Sequence, residues 1–293
     1  MKLKECFKRT LRYIIKGVPE KHMHVNVVSL ASSELLSGRT ALITGGTSGI
    51  GKSIAEAFLK AGANVIITGR IQEKIDAVVS EIKKSAHQNA FVTGYTMECS
   101  KISDIEKKWS GIIASLTHEK IDILVNSAGT MGKSGGWINT CTEDDFDAIL
   151  DVNLKAVFFL NKIVAKYMID NSIKGNILNI ASASSLRPCV SAYMLSKWGV
   201  RGMTAGLAKM FAPHNIVVNG IAPGPTLTPM LKKQPDADFL LEPNPLGRYA
   251  HPDEIANMAV FLTSDMGRTI IGDVVYMTGG SGTVTYDDIS YDF

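Results

Sequence analysis

The 293-residue chain has no apolar run approaching the ~20 residues that a bilayer span requires, which excludes an ordinary membrane-spanning helix. Cysteine is scarce: Cys6, Cys99, Cys141 and Cys189 are scattered, with no CxxC and no framework spacing. That argues against a disulfide scaffold and for a reducing, cytoplasmic setting in which the thiols are buried apolar groups. No internal repeat, low-complexity tract or linker interrupts residues 37–281. Histidine offers little. His22 and His24 form an isolated HxH pair with no further ligand at metal spacing, so no metal is expected, and His251 opens "HPDE" as a helix start. Net charge is low, +3 overall. Residues 1–24 carry seven basic residues against Glu5 and Glu20, a net of +5, which leaves −2 for the remainder. The globular part has no general attraction for nucleic acid.

Hydrophobic residues make up 45% and charged residues 20%, enough for a full core. From residue 39 onward, apolar β-rich runs alternate with helical patterns. The runs are 40–44, 64–69, 90–95, 121–126, 175–181, 215–222 and 273–278. Several are continuously apolar, as expected of strands covered on both faces. Between them, Ile71, Ile75, Val78, Val79 and Ile82 recur at helical spacing, as do Ile105, Trp109, Ile112, Ile113 and Leu116. This alternation predicts one α/β domain over 37–281: a doubly wound parallel sheet with helices on both faces.

Two other segments flank it. In residues 1–36, Leu3, Phe7, Leu11, Ile14 and Ile15 line one face of a basic amphipathic helix. That face suits an anionic membrane surface, a neighbouring subunit or free solvent. Arg12 and Lys16 break its apolar runs before they reach signal-peptide length. Residues 282–293 form a tail whose Asp287, Asp288 and Asp292 make it acidic. Inside the domain, the proline-punctuated stretch 226–250 reads as a lid or binding loop.

"TALITGGTSGIGKSIAEAF" passes from the first strand straight into a helix, with Gly45, Gly49 and Gly51 where the strand turns. A pyrophosphate must approach backbone N–H groups closely at the positive end of a helix, and a β-carbon would block it. The stretch is therefore read as a dinucleotide site. The spacing, TGxxxGIG over Thr44–Gly51, resembles that of the short-chain dehydrogenase/reductase family. Further motifs follow in the family's order: "NSAG" at 126–129, "DVN" at 151–153, "NIAS" at 179–182, YxxxK at Tyr193 and Lys197, and "APG" at 222–224. The resemblance covers residues 37–281 and implies a Rossmann-like sheet of seven strands. It assigns the dinucleotide to Gly45, Thr47, Ser48, Gly49, Ile50 and Gly51, with Asn126, Ala128 and Gly129 from the second motif. Pro223, Gly224, Thr226 and Thr228 follow from "APGPTLT", although turn stabilisation is an alternative for both threonines. Glu98 falls where the family commonly has Asp near the adenine.

An acidic residue ending the second strand would accept from the ribose 2′-OH of NAD and repel a 2′-phosphate. Here Gly69 and Arg70 stand in its place, and a guanidinium can fork onto the phosphate. NADP(H) is expected in preference to NAD(H). The family's other basic position is Ser48, so one of the two signals is present.

Tyr193 and Lys197, four positions apart, share a helical face. A free phenol has a pKa of ~10. An ammonium at ~4 Å, at an effective dielectric of ~20, contributes ~4 kcal/mol, or ~3 pKa units. Lys197 is thus expected to lower the pKa of Tyr193. By resemblance Lys197 also holds the nicotinamide ribose, Ser182 hydrogen-bonds the substrate oxygen, and Asn153 anchors a water that relays protons. The family separates this serine from the tyrosine by about thirteen positions, whereas Ser182 precedes Tyr193 by eleven, which keeps Ser184 and Ser185 open as alternatives. Trp137 with "GKSGGW" and residues 230–250 are expected to shape the substrate pocket. The resulting expectation is a ketone/secondary-alcohol oxidoreductase, by analogy a homodimer or homotetramer. The rival reading is a dinucleotide-binding sensor or scaffold without turnover, and an intact set of Asn153, Ser182, Tyr193 and Lys197 distinguishes the two.

Overall fold

A computed structural model describes residues 34–87, 90–133, 135–231 and 238–285. The basic segment 1–24 and residues 286–293 of the acidic tail lie outside the described residues. Seven strands form one parallel sheet in the order β3-β2-β1-β4-β5-β6-β7. They are β1 (Thr40–Thr44), β2 (Asn64–Gly69), β3 (Val92–Thr96), β4 (Ile121–Asn126), β5 (Asn176–Ile180), β6 (Val217–Pro223) and β7 (Val274–Met277). The helices between them are α1 (Gly49–Lys60), α2 (Gln72–Ile82), α3 (Ile102–Ser115), α4 (Glu143–Leu150), α5 (Ala156–Asp170), α6 (Ala192–Phe211) and α7 (Pro252–Thr263).

Strand side chains alternate between faces, and both faces are covered. On one, Ala41, Ile43, Val65, Ile67 and Val125 pack with Ile54 and Phe58 of α1, Ile75 of α2 and Ile255 of α7. On the other, Leu42, Ile66, Leu124 and Val218 pack with Ile105 and Trp109 of α3, Val164 of α5 and Phe211 of α6. A strand buried on both sides has no position left for a polar alternation, which explains the continuous apolar runs.

Chain direction across the sheet reverses between β1 and β4, which pair from Thr40–Ile121 to Thr44–Asn126. The crevice beyond the carboxyl ends of strands at such a point is where ligands bind in this architecture. Thr44 shapes it. Its Oγ1 accepts from the N–H groups of Ser127 and Ala128, both at 3.2 Å, tying the end of β1 to the loop after β4.

The boundaries differ from the sequence reading where turns intervene. β6 starts at Val217 because Asn215 takes a left-handed φ of 60° to close the preceding helix. Ile71 caps α2 in an extended conformation and is exposed, so the apolar stripe begins at Ile75. Leu116 follows α3 with extended backbone. His251 does start α7, in a capping box with Glu254.

Candidate active site

A cleft of about 610 Å³ opens at the carboxyl ends of β1–β6, within the size range of small-molecule sites. Its floor is the glycine turn. Gly45 has φ +67°, and a Cβ there would lie 2.8 Å from Ala128 Cα. A Cβ on Gly51 would lie 2.3 Å from the Gly45 carbonyl oxygen. Neither position accepts a side chain. Ser48 caps α1 without a side-chain hydrogen bond, so the helix's first N–H groups face the cleft without a side-chain acceptor. Backbone donors, a helix N-terminus and the missing β-carbons together fit a dinucleotide pyrophosphate. Gly49, at φ +50°, faces Thr228 Cγ2 across the turn.

At one end of the cleft, Thr47 lies over Gly69: a Cβ at 69 would be 2.7 Å from Thr47 Cγ2, which disfavours a larger residue there. Arg70 is exposed, lines the cleft, and pairs with no carboxylate among the described residues. Glu98 also lines the cleft, with Oε1 accepting from Ser100 Oγ at 3.0 Å. Beside it, burial, aided by Glu98, pushes the Cys99 thiol up to about 12, so this cysteine stays protonated and inert.

At the other end, Ser191 caps α6, its Oγ accepting from Met194 N at 3.2 Å, and places Tyr193 in the helix's first turn. Tyr193 is hydrogen-bonded to Ser182. Ser182 ends the stretch after β5, and its Oγ also accepts from Ser184 N at 3.1 Å. The structure therefore joins Ser182, rather than Ser184, to the tyrosine. Ser185 Oγ turns back to donate to the Ser182 carbonyl at 2.7 Å. Lys197, one turn along α6 and 6% exposed, donates to Ile180 O at 2.8 Å, and its Nζ is 5.8 Å from the Tyr193 ring centroid. Burial lowers the Lys197 ammonium to about 8. The expectation that Lys197 pulls the phenol down is corrected here: burial raises the Tyr193 pKa, and the opposing influence is the Ser182 hydrogen bond. The ammonium's own bond is spent on a carbonyl.

Every residue assigned to the dinucleotide from sequence lines this cleft except Asn126. Asn126 Nδ2 instead donates to Asn179 Oδ1 at 2.8 Å and Asn161 Oδ1 at 3.1 Å in a buried amide cluster. Asn153 is fully buried in a π-helical turn, Asp151–Lys155, between α4 and α5. Turns of this kind are frequent at functional sites. Its Oδ1 accepts from Thr130 N and its Nδ2 donates to Thr130 O, both at 2.8 Å, with a further bond to Ser196 Oγ. The Asn153 amide is thus spent clamping the loop after β4 to α6. The hydroxyls of Thr226 and Thr228 donate to Gly224 O and Thr226 O, which is turn chemistry, while both residues still line the cleft.

Trp137 does not line the cleft. It forms an isolated bridge with Ser191, and Thr130 and Met131 line the wall instead. From the 226–250 stretch, Thr226 and Thr228–Leu231 contribute to the lining, whereas Asn244 packs away onto Thr278 and Ser281. Sequence reasoning assigned no role to Thr44, Ser127 or Arg187, although Thr44 opens the TGxxxGIG motif and Ser127 lies inside "NSAG".

A family model described as enoyl-(acyl carrier protein) reductase matches residues 45–282. The chain is 35% identical over 249 residues to the 3-oxoacyl-[acyl-carrier-protein] reductase of Thermotoga maritima, covering 84% of this chain and 98% of that protein. The chain belongs to the short-chain dehydrogenase/reductase family. Two solved members of this oxidoreductase family superpose well. The 3-ketoacyl-(acyl-carrier-protein) reductase of Brucella melitensis, complexed with NADH, has a TM-score of 0.74 at 30% identity, covering 84% of this chain and 99% of that one. A protein described as an NAD(P)-dependent gluconate 5-dehydrogenase from Beutenbergia cavernae, with bound NADP, has a TM-score of 0.73 at 29% identity, covering 84% and 97%. A nicotinamide dinucleotide is the cofactor class of such a site. Among the described residues no helix is long and apolar enough to cross a membrane, and no metal-holding cluster occurs.

Because the Gly51 β-carbon would strike the Gly45 carbonyl, Gly51→Ala is expected to displace the turn, weakening NADPH binding at least about tenfold and lowering the melting temperature. NADPH fluorescence titration beside a melting curve checks this; unchanged affinity would contradict the cradle.

Proposed function

We propose that the chain is an NADP(H)-dependent oxidoreductase interconverting a ketone and a secondary alcohol, with Tyr193 as general acid and base. The reading rests on one juxtaposition: a tyrosine hydrogen-bonded to a serine, beside a buried ammonium, in the same cleft as the glycine cradle. A nicotinamide held there would supply the hydride that the carbonyl carbon takes up in reduction and that the alcohol returns in oxidation. In reduction Tyr193 passes its phenolic proton to the substrate oxygen, and Ser182 hydrogen-bonds that oxygen. Burial favours the neutral phenol, the form a general acid needs at neutral pH. Lys197, charged below about 8, stabilises the phenolate left behind. Asn153 contributes by holding the Thr130 loop and the catalytic helix in register.

Preference for NADP(H) over NAD(H) rests on Arg70 and on Thr47 covering Gly69. The two solved relatives carry different dinucleotides, NADP in one and NADH in the other. The intact set Asn153, Ser182, Tyr193 and Lys197 argues for turnover over a sensor or scaffold role. The substrate is a small molecule, and the setting is cytoplasmic. Exposed Phe158, beside Leu154 and Met203 in an apolar depression, offers a surface for a homodimer or homotetramer. Peripheral membrane contact through residues 1–24 remains a reading of sequence alone.

With a panel of ketones followed by NADPH absorbance, Tyr193→Phe is expected to lower kcat by ~10²–10⁴ while NADPH affinity holds; full activity in the variant would refute the assignment. Arg70→Asp should cut the NADPH-to-NADH ratio of kcat/KM at least about tenfold by removing a charge-assisted contact and adding repulsion. A ratio that does not move would return the choice of dinucleotide to other residues.

A further inference from the structure

Around Ser182 and Tyr193 most polar side chains are already committed. Thr130 Oγ1 accepts from Gly132 N at 3.1 Å, and the Thr226 and Thr228 hydroxyls donate to carbonyls of their own turn. Arg187 is partnered within the protein, and no carboxylate lines this end of the cleft among the described residues. Ser184 adds one hydroxyl to the lining. A polyhydroxylated ketone would give up its water here and find few donors or acceptors in exchange.

What the lining offers instead is apolar. Strand order puts β5, which leads to Ser182, between β4 and β6, so the loops after β4 and β6 flank that serine. Met131 comes from the first loop, Met230 and Leu231 from the second, and Val152 from the π-helical turn; all four line the cleft. Met230 and Leu231 are 45% and 39% exposed, so they serve the cleft rather than the core. Their backbone is nonetheless fixed. Leu231 N donates to Thr228 O and Leu227 N to Ala250 O, both at 3.0 Å, and the Leu227 side chain is fully buried as the anchor. From this base the Met230 thioether reaches inward. A β-carbon on Gly129 would lie 3.8 Å from Met230 Cε and 3.9 Å from Lys197 Nζ, so the tip of Met230 sits over Gly129 at the same end as the ammonium. Three rotatable bonds and a polarisable sulfur let such a tip yield and repack against apolar groups of different shape.

We propose that Met230 is a substrate-specificity residue which, with Leu231, Met131 and Val152, grips an apolar substituent, an aliphatic chain or alicyclic ring, on the molecule whose carbonyl is reduced. This deepens the proposed function and rests on its reading of the cleft. The natural substrate is then a ketone with an extended hydrocarbon portion rather than a sugar-like one. The work is divided: Ser182 addresses the reacting oxygen, and Met230 the hydrocarbon next to it.

The test titrates methyl ethyl, methyl butyl and methyl hexyl ketone, with dihydroxyacetone and fructose as polar counterparts, into protein loaded with NADP⁺. The oxidised dinucleotide has no hydride to give, so calorimetry reads ketone binding without turnover. Affinity should rise at least about tenfold from the ethyl to the hexyl ketone, and both polar ketones should bind at least about tenfold more weakly than the hexyl one. Met230→Gln, which keeps the length of the side chain and makes its end polar, should remove most of that rise with chain length; Met230→Leu should keep most of it. Because Met230 stands outside the core, melting curves of both variants should match the wild type, and the wild-type series needs no variant at all. Affinity that is flat along the series, no binding by any of the ketones, tighter binding of the polar ketones, or a chain-length dependence that survives Met230→Gln would overturn the proposal. Turnover of the same compounds with NADPH, with and without Tyr193→Phe, reports on the reaction separately. Chain-length-dependent binding without Tyr193-dependent turnover would sink the reaction and leave Met230 standing; the reverse result would sink Met230 alone.

Discussion

A single hydrogen bond, from the Lys197 ammonium to the carbonyl of Ile180, joins the two halves of the site. Ile180 ends β5 and Lys197 stands on α6, so the bond fixes that helix against the carboxyl edge of the sheet. It also satisfies one of the ammonium's three donors in a place that water scarcely reaches. The cost of that burial appears as the drop of the lysine toward about 8. A lysine so poised is charged at neutral pH yet close to release, which is what the proposed acid–base role of the neighbouring phenol asks of it.

Around this bond, the remaining residues act mainly by denying alternatives. Backbone packs so tightly at Gly45 and Gly51 that side chains are excluded, and the exposed N–H groups are left to a ligand. Thr44, Asn153 and Ser191 each spend a side chain on backbone groups: the loop after β4, Thr130 and the start of α6. None of the three needs to touch a ligand to matter, because the proposed chemistry would lose much of its rate if its groups were misplaced by about 1 Å. The cleft is thus positioned by polar clamps at its rim and by apolar packing beneath the sheet.

Much of this was legible in the residues. β1, β2 and β4 coincide with their apolar runs because continuous burial on both faces leaves a strong signal. The glycine turn was legible because strand, glycines and helix follow one another without a break. Ser182 could be separated from Ser184 and Ser185 only in three dimensions, since the shortened loop fits all three until the turn at Ala183–Leu186 folds Ser185 back. Asn126 and Trp137 were misplaced for a related reason: motif membership says which residues are near a site, not which way a side chain points. Asn126 turns into an amide cluster beneath the sheet, and Trp137 pairs with Ser191. The phenol's shift was misjudged because Coulomb attraction was weighed without the desolvation that enclosure imposes.

Direct titration of the lysine side chain asks most plainly whether that buried ammonium exists as described. In nitrogen-15 lysine-labelled protein without bound dinucleotide, the Lys197 signal, assigned by its loss in Lys197→Met, should titrate near about 8: charged below that pH, neutral above it. A Lys197 amine that holds its proton to the ordinary value of ~10.4 would show a solvated surface lysine and contradict the account.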